Sequence, residues 1–320
     1  MDPRQVDVTT FVRAETDLML SRLLAQSGGV NRWFHHRTPT PLDQQPVIRL
    51  NRDTLYSHVV ADIADGATLT LPDAGDRYLS AMVVDRDHYV AEVLHEPGDH
   101  ALSADRHGTD VVLVGVRILV DPDDADDVAE VAALQDQIDL AAASDRPFSA
   151  PDHDQASQDR TREALLALQR DLAGFDGSFG TRQQVDPVRH LLGTAAGFGG
   201  LPSSEATYLN VEPGLPVGSY ELTVPADVPV DGFWSISLYD ARGFFPTGTG
   251  GPVNLNSITA ARDADGSVTV RFGGEPGRPN QLPLVEGWNY LVRLYRPHPE
   301  VLDGTWVFPE LRATGDDRAG

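Results

Sequence analysis

Lysine and cysteine are both missing from this 320-residue chain: its 25 basic side chains are all arginine, set against 48 acidic ones. Without lysine there is no Schiff base, no pyridoxal-phosphate anchor and no phosphate-loop or kinase-type lysine. Without cysteine there is no thiol nucleophile, disulfide, thiolate zinc site or cysteine-ligated iron–sulfur cluster. Positive charge is scarce as well. A formal net charge of −23 opposes binding to nucleic acid or an anionic membrane. No run approaches the ~20 consecutive apolar residues of a membrane span. The N-terminus, MDPRQVDVTT, has no basic-then-apolar leader pattern, so a cytoplasmic location is expected. What remains is chemistry by His, Asp, Glu, Arg, Tyr and Ser.

With 41% hydrophobic residues the chain has enough apolar material for one large or two ordinary domains. Periodicity predicts a helix from Phe11 to Gln26, stopped by Gly28-Gly29. Strands are predicted over 55–63, 67–71, 77–84, 88–94 and 111–120, with turns at Pro72-Asp73, Gly75-Asp76 and Pro97-Gly98-Asp99. Asp121-Pro122 has the chemistry of a helix start, with Val131, Leu134 and Ile138 as the buried stripe. A further helix carries Leu165, Leu168 and Leu172, and the Gly-rich stretch 193–200 reads as a linker. From Tyr208 onward the pattern is β again; Val268, Val270 and Phe272 alternate with Ser267, Thr269 and Arg271. The expected fold is mainly β with a helical middle. It comprises an N-terminal helix and barrel-like domain over 1–150, a connector over 151–207 and a β domain over 208–320.

Strand parity selects candidate site residues. The row Leu55, Val59, Ala61, Ile63 extends back to Asp53, and the row Leu79, Ala81, Val83 runs from Arg77 to Asp85. A charge at the end of a core-facing row needs a partner, so Arg77 is expected to pair with Asp53 or Asp85. The other face of the first strand carries Arg52, Thr54, Tyr56 and His58. His88 and His190 are the acid–base candidates. His88, His95, His100 and His107, with Glu92 and Glu96, match no metal-binding spacing, so no metal is expected. Arg293, between Leu291 and Tyr295, is expected to pair with a carboxylate or stack on a ring. Trp234, Trp288, Tyr239 and Tyr295 serve as core or as an aromatic pocket. Asp263-Ala264-Asp265-Gly266 lacks the glutamate a calcium loop requires. There is no G-x-S-x-G elbow and no complete dinucleotide fingerprint.

Several of these stretches resemble a known bacterial pairing. Asn51-Arg52-Asp53-Thr54-Leu55-Tyr56-Ser57, Leu71-Pro72-Asp73 and Arg77-Tyr78 resemble domain of unknown function 1254. Residues 231–239, Asp265-Gly266-Ser267, Arg293-Leu294-Tyr295-Arg296-Pro297 and Asp303-Gly304-Thr305-Trp306 resemble domain of unknown function 1214. The resemblance implies two β-rich domains, the C-terminal one a jelly-roll-like sandwich, in the shorter type without a secretion signal. It brings no catalytic mechanism. Asn280-Gln281-Leu282-Pro283 replaces the usual Asn-Trp-Leu-Pro.

The reading of function is a small-molecule enzyme of hydrolase, lyase or isomerase type, without metal or other cofactor, working in a cleft between the β domains. His88 or His190 moves protons, Asp53 orients, Tyr56 donates, and Arg52, Arg77, Tyr78, Trp234 and Arg293 hold an anionic small molecule. The alternatives are a non-catalytic ligand-binding module and a metal-dependent jelly-roll enzyme. Neither nucleic acid nor membrane is an expected partner; a homodimer is the expected assembly.

Overall fold

The computed structural model describes residues 3–170, 172 and 174–314. Contacts divide the chain into two units. The first comprises Met1–Arg37, Leu55–Leu119 and Ala125–Ser203; the second comprises Thr38–Thr54, Val120–Asp124 and Ser204–Gly320. Residues 151–203, expected as a connector, therefore fold with the first unit, and a stretch of the N-terminal half belongs to the second.

The first unit opens with α1 (Phe11–Ser27), which ends where Gly28 takes φ +79, a left-handed turn that suits glycine. Its strands are β1 (Phe34–His35), β2 (Thr54–Asp62), β3 (Ala67–Leu71), β4 (Leu79–Val84), β5 (Val90–Leu94), β6 (Gly98–Leu102), β7 (Val111–Leu119) and β8 (Asp139–Ala142). The short helix α2 (Ala104–His107) precedes β7, and α3 (Ala125–Gln135), α4 (Gln155–Gln169) and α5 (Pro187–Ala196) follow it. Two sheets result, ordered β1-β2-β7-β4-β5 and β6-β3-β8. The β1–β2, β4–β7, β4–β5, β3–β6 and β3–β8 pairs are antiparallel. Both are open, so the expected barrel is replaced by two sheets. β4 is buried along its whole length and β7 along most of it, as their Val- and Leu-rich sequences require.

The predicted helix start at Asp121-Pro122 is displaced. The Asp121 carboxylate accepts the N–H of Asp123 and its carbonyl accepts that of Asp124. These bonds close a turn, and the helix begins only at Ala125. The Gly-rich linker is also partly helix: Asp186 caps α5 by accepting the N–H groups of Val188 and Arg189, with Pro187 in the first turn. His190 thus lies on a helix rather than a loop.

The second unit holds two four-stranded sheets. One is ordered β12 (Asn254–Asn256), β11 (Trp234–Tyr239), β15 (Asn289–Tyr295), β9 (Ala206–Val211). The other is ordered β14 (Gln281–Leu282), β13 (Val268–Gly273), β10 (Ser219–Val224), β16 (Arg312–Ala313). Helix α6 (Pro299–Leu302) follows β15. A single apolar cluster joins the two sheets. Trp234, Ile236, Leu238, Val292 and Leu294 contribute from one, and Leu222, Val224, Val268, Val270 and Phe272 from the other. Each such buried side chain contributes roughly 1.5–3 kcal/mol of transfer free energy. Trp234 and Trp288 are members of this core, which uses up the even-numbered face of β11. Ser235, Ser237 and Tyr239 point the other way; on that face the serines form a polar patch beside a second apolar cluster of Tyr239, Phe245, Val253 and Leu291.

Arg77 pairs with neither Asp53 nor Asp85. Its guanidinium donates to both carboxylate oxygens of Asp127 at 2.5 and 3.0 Å, to the Leu119 carbonyl at 2.9 Å and to Glu130 at 3.3 Å. The acids at the start of α3 supply the partner that strand parity sought on a neighbouring strand. Asp127→Ala is expected to destabilise the protein by about 2 kcal/mol, because it leaves a half-buried guanidinium with only the Leu119 carbonyl and the exposed Glu130. Urea denaturation checks this; a loss below roughly 0.5 kcal/mol, the range of an ordinary surface change, would contradict it.

Candidate functional site

The polar face of the β12-β11-β15-β9 sheet follows from strand register. Ser235 stands between Asn256 and Arg293, and Ser237 between Asn254 and Leu291. These side chains all emerge on the side away from the inter-sheet core, where Leu291 packs with Tyr239, Phe245 and Val253. Residues 38–54 of the same unit cover them. Asp53 is 0% exposed and Arg293 2%, so both ions require partners from within the protein.

Arg293 is satisfied almost completely. One guanidinium nitrogen donates to Ser237 Oγ at 2.7 Å and stands 3.8 Å from Asp53 Oδ2. The other donates to Tyr239 Oη at 2.8 Å and to the carbonyls of Arg49 and Leu50 at 3.0 and 3.3 Å. Tyr239 Oη passes its own proton to the Leu50 carbonyl at 2.7 Å. Burial opposes the charge on Arg293, but Tyr239, Tyr295 and Asp53 outweigh that penalty and raise its pKa. Asp53 Oδ1 accepts from the amides of Asn254 and Asn256 at 3.1 and 3.2 Å. Asn51 accepts the Asp53 N–H and donates to Tyr295 Oη and Thr54 Oγ1. Asp53 Oδ2, Ser235 Oγ and Asn254 Oδ1 are buried without a hydrogen-bond partner. These three atoms on one buried face retain hydrogen-bonding capacity that the described residues do not fill.

This network fixes Arg49. Its φ is +55, a region that side chains other than glycine seldom adopt. Its N–H donates to the Gly243 carbonyl at 2.8 Å, and its own carbonyl receives Arg293. The guanidinium lies 5.3 Å over the Tyr239 ring and donates to Asn289 Oδ1 at 2.6 Å. Asn289 in turn donates to the Asp240 carbonyl. Arg49 lines an open cleft of about 650 Å³ with Ile48, Glu212, Leu215, Pro216, Arg242, Trp288 and Asn289 among its walls. All of these belong to the second unit. Gly287, with φ +68, completes one wall; a Cβ there would come within 2.7 Å of the Ala241 Cβ.

The sequence-selected residues divide between the units. Asp53 and Arg293 come together, as the expectation of a carboxylate for Arg293 required. Arg52 lies nearby in sequence but bonds elsewhere, to the Thr40 carbonyl at 2.7 Å and to Asp123 at 3.4 Å; burial lowers its pKa, opposed by Asp123 and Asp53. Trp234 is core. Tyr56, Arg77, Tyr78, His88 and His190 belong to the first unit. There Tyr56 lies under the Arg117 guanidinium and Tyr78 stands beside His95.

His88 is 1% exposed. Asp85 builds its turn: the carboxylate accepts the N–H groups of Asp87 and Tyr89, leaving His88 at φ +62. Burial raises the Asp85 pKa. Thr194 Oγ1 donates to the His190 carbonyl, so it accepts the proton on His88 Nδ1; the N–H of Gly199 donates to His88 Nε2. That fixes the neutral Nδ1–H tautomer and occupies its lone pair. The ring also stacks on Phe198 at 4.6 Å. Burial and then the nearby His190 push its pKa down to about 3. His190 directs its two nitrogens at the carbonyls of Ser178 and Asp87, and its ring stacks on Tyr89. Of the other histidines, His95 and His100 bond carbonyls and His107 bonds Glu92. Among the described residues no group of three or more His, Asp or Glu side chains is placed to hold a metal ion.

Sequence reasoning passed over Arg49, Asn254, Asn256, Ser235 and Ser237. For the serines and asparagines the signal was the alternation Asn-Leu-Asn and Ser-Ile-Ser, a polar residue at every second position of a strand whose other face is core; Arg49 had none.

The fold and this centre define a mainly β protein of two units, with a polar site assembled from distant stretches of one chain. Residues 30–101 match the model of the protein of unknown function DUF1254, and residues 214–299 match that of the protein of unknown function DUF1214. The chain therefore carries this pair of domains, in this order. The first match crosses the unit boundary, since residues 38–54 fold with the second unit. The chain is similar in structure to the VPA0106 protein from Vibrio parahaemolyticus, with a TM-score of 0.71 at 17% identity over 96% of this chain and 98% of that one. An uncharacterized protein from Burkholderia cenocepacia has a TM-score of 0.55 at 16% identity, covering 94% of this chain and 86% of its own. At these identities the likeness speaks for the fold alone. No curated protein matches the chain. No helix among the described residues is long and apolar enough to cross a membrane.

Two tests follow from the geometry. His88 binds its proton only near pH 3 when folded, against an ordinary value of 6.5. As the pH falls below about 6, the unfolded chain takes up a proton that the folded one refuses, and stability drops by about 1.4 kcal/mol per pH unit. Urea melts of His88→Gln at pH 7, 6 and 5 should show a shallower decline than the parent; parallel declines would contradict the assignment. Tyr239→Phe removes the hydroxyl bridging Arg293 and Leu50 and should cost about 1–3 kcal/mol, whereas an unchanged melting temperature would show the bridge to be unimportant.

Proposed function

We propose that this protein is a small-molecule-binding protein whose ligand carries a carboxylate or similar anionic group, held in the cleft of the second unit. The single observation that carries the reading is Arg49: an arginine kept in a rarely adopted backbone conformation by four separate tethers, on the wall of an open cleft of ligand size. Guanidinium grips carboxylates through a planar pair of donors. Among the described residues its only acidic partner, Glu212, is highly exposed and stands at 3.5 Å, so an incoming anion displaces a weak surface contact. Because the tethers already fix the residue, little conformational entropy is lost on binding.

An acid–base enzyme relying on His88 or His190 draws less support. The His88 lone pair already accepts the Gly199 N–H, both His190 nitrogens face carbonyls, and both rings are buried. A general base needs a free lone pair within reach of substrate.

Titration calorimetry of the parent and of Arg49→Ala with simple carboxylates tests this function. The variant is expected to bind at least about tenfold more weakly while retaining a native melt. Equal affinity in the two proteins would remove the proposal.

A further inference from the structure

We infer that the ligand of this cleft is an amphiphile, a carboxylate attached to an apolar body of several carbons. The inference rests on the proposed carboxylate site at Arg49 and adds the chemistry of the rest of the molecule. Ile48 and Leu215 line the cleft beside Arg49 and are 56% and 40% exposed. Two large aliphatic side chains from separate segments of the chain are therefore left in water at one opening, and Pro216 adds a third apolar side chain to the lining. Scattered exposed apolar residues need no explanation, but a group of them rimming a cleft marks a surface that something covers.

The polar half is equally localised. Arg49 and Asn289 stand together on the cleft wall, joined at 2.6 Å. Arg242, the other cationic side chain of the lining, is already bound to Asp240 at 3.1 Å. Glu212 and Glu286 also line the cleft, so its anion-binding capacity is confined to the Arg49 guanidinium; one fixed cation next to an aliphatic rim fits one anionic head with one hydrocarbon tail. A short polar acid would leave the aliphatic rim in water, and a neutral hydrocarbon would leave Arg49 unused.

The test is calorimetric titration of the full chain with acetate, butyrate, hexanoate and hexanol, repeated on Leu215→Ser. Leu215 is exposed, so its replacement leaves folding intact. Hexanoate is expected to bind roughly tenfold more tightly than acetate, hexanol more weakly than hexanoate, and Leu215→Ser to reduce the ratio of hexanoate to acetate affinity. If acetate, butyrate and hexanoate bind equally well, the apolar body is wrong while the carboxylate site stands. If no carboxylate binds, or hexanol matches hexanoate, the carboxylate site itself is wrong and the inference falls with it.

Discussion

The second unit depends on the encounter of Asp53 and Arg293 beneath a covering of residues 38–54. Two opposite charges with almost no solvent exposure would be prohibitive alone, since desolvation of each costs several kcal/mol. They are tolerated because the carboxylate has two amide donors and the guanidinium has a hydroxyl, a phenol and two backbone carbonyls. An apolar face would have been simpler to build. What the ionic arrangement provides that a greasy one cannot is direction: it clamps the carbonyls of Arg49 and Leu50 and thereby sets the backbone of the residue on the cleft wall.

That architecture explains why the sequence boundaries and the folding boundaries disagree. The Asn51-Arg52-Asp53-Thr54 motif lies within the stretch that matches DUF1254, yet its side chains serve a sheet made largely by the stretch that matches DUF1214. The two matched regions are thus not independent beads. Removing residues 38–54 from the second unit would expose a row of serine, asparagine, tyrosine and arginine side chains that no longer have partners.

Local signals were legible where one interaction dominates. Gly28 stops α1, and the Val268-Val270-Phe272 alternation marks a strand with one face in the core; the cap at Asp186-Pro187, which starts α5, was passed over. The centre itself was half legible. Asp53 and Arg293 stood out as charges in strand rows, but parity on one strand cannot say which distant element supplies the partner. Arg77 went to an acid on a following helix, and Asp53 went to two asparagines about 200 residues away. Arg49 was invisible, because nothing in Ile48-Arg49-Leu50 signals a left-handed turn. His88 looked like a reactive base; its neighbours Thr194 and Gly199, brought near by the fold, occupy both of its nitrogens.

The most direct measurement is a double-mutant cycle between Asp53→Asn and Arg293→Met, followed by urea denaturation. If the two charges sustain one another as described, each single change is strongly destabilising and the pair loses far less than the sum, with a coupling of about 2–3 kcal/mol. A coupling within roughly 0.5 kcal/mol of zero would mean that the two residues act independently, and the account of how Arg49 is held would be wrong.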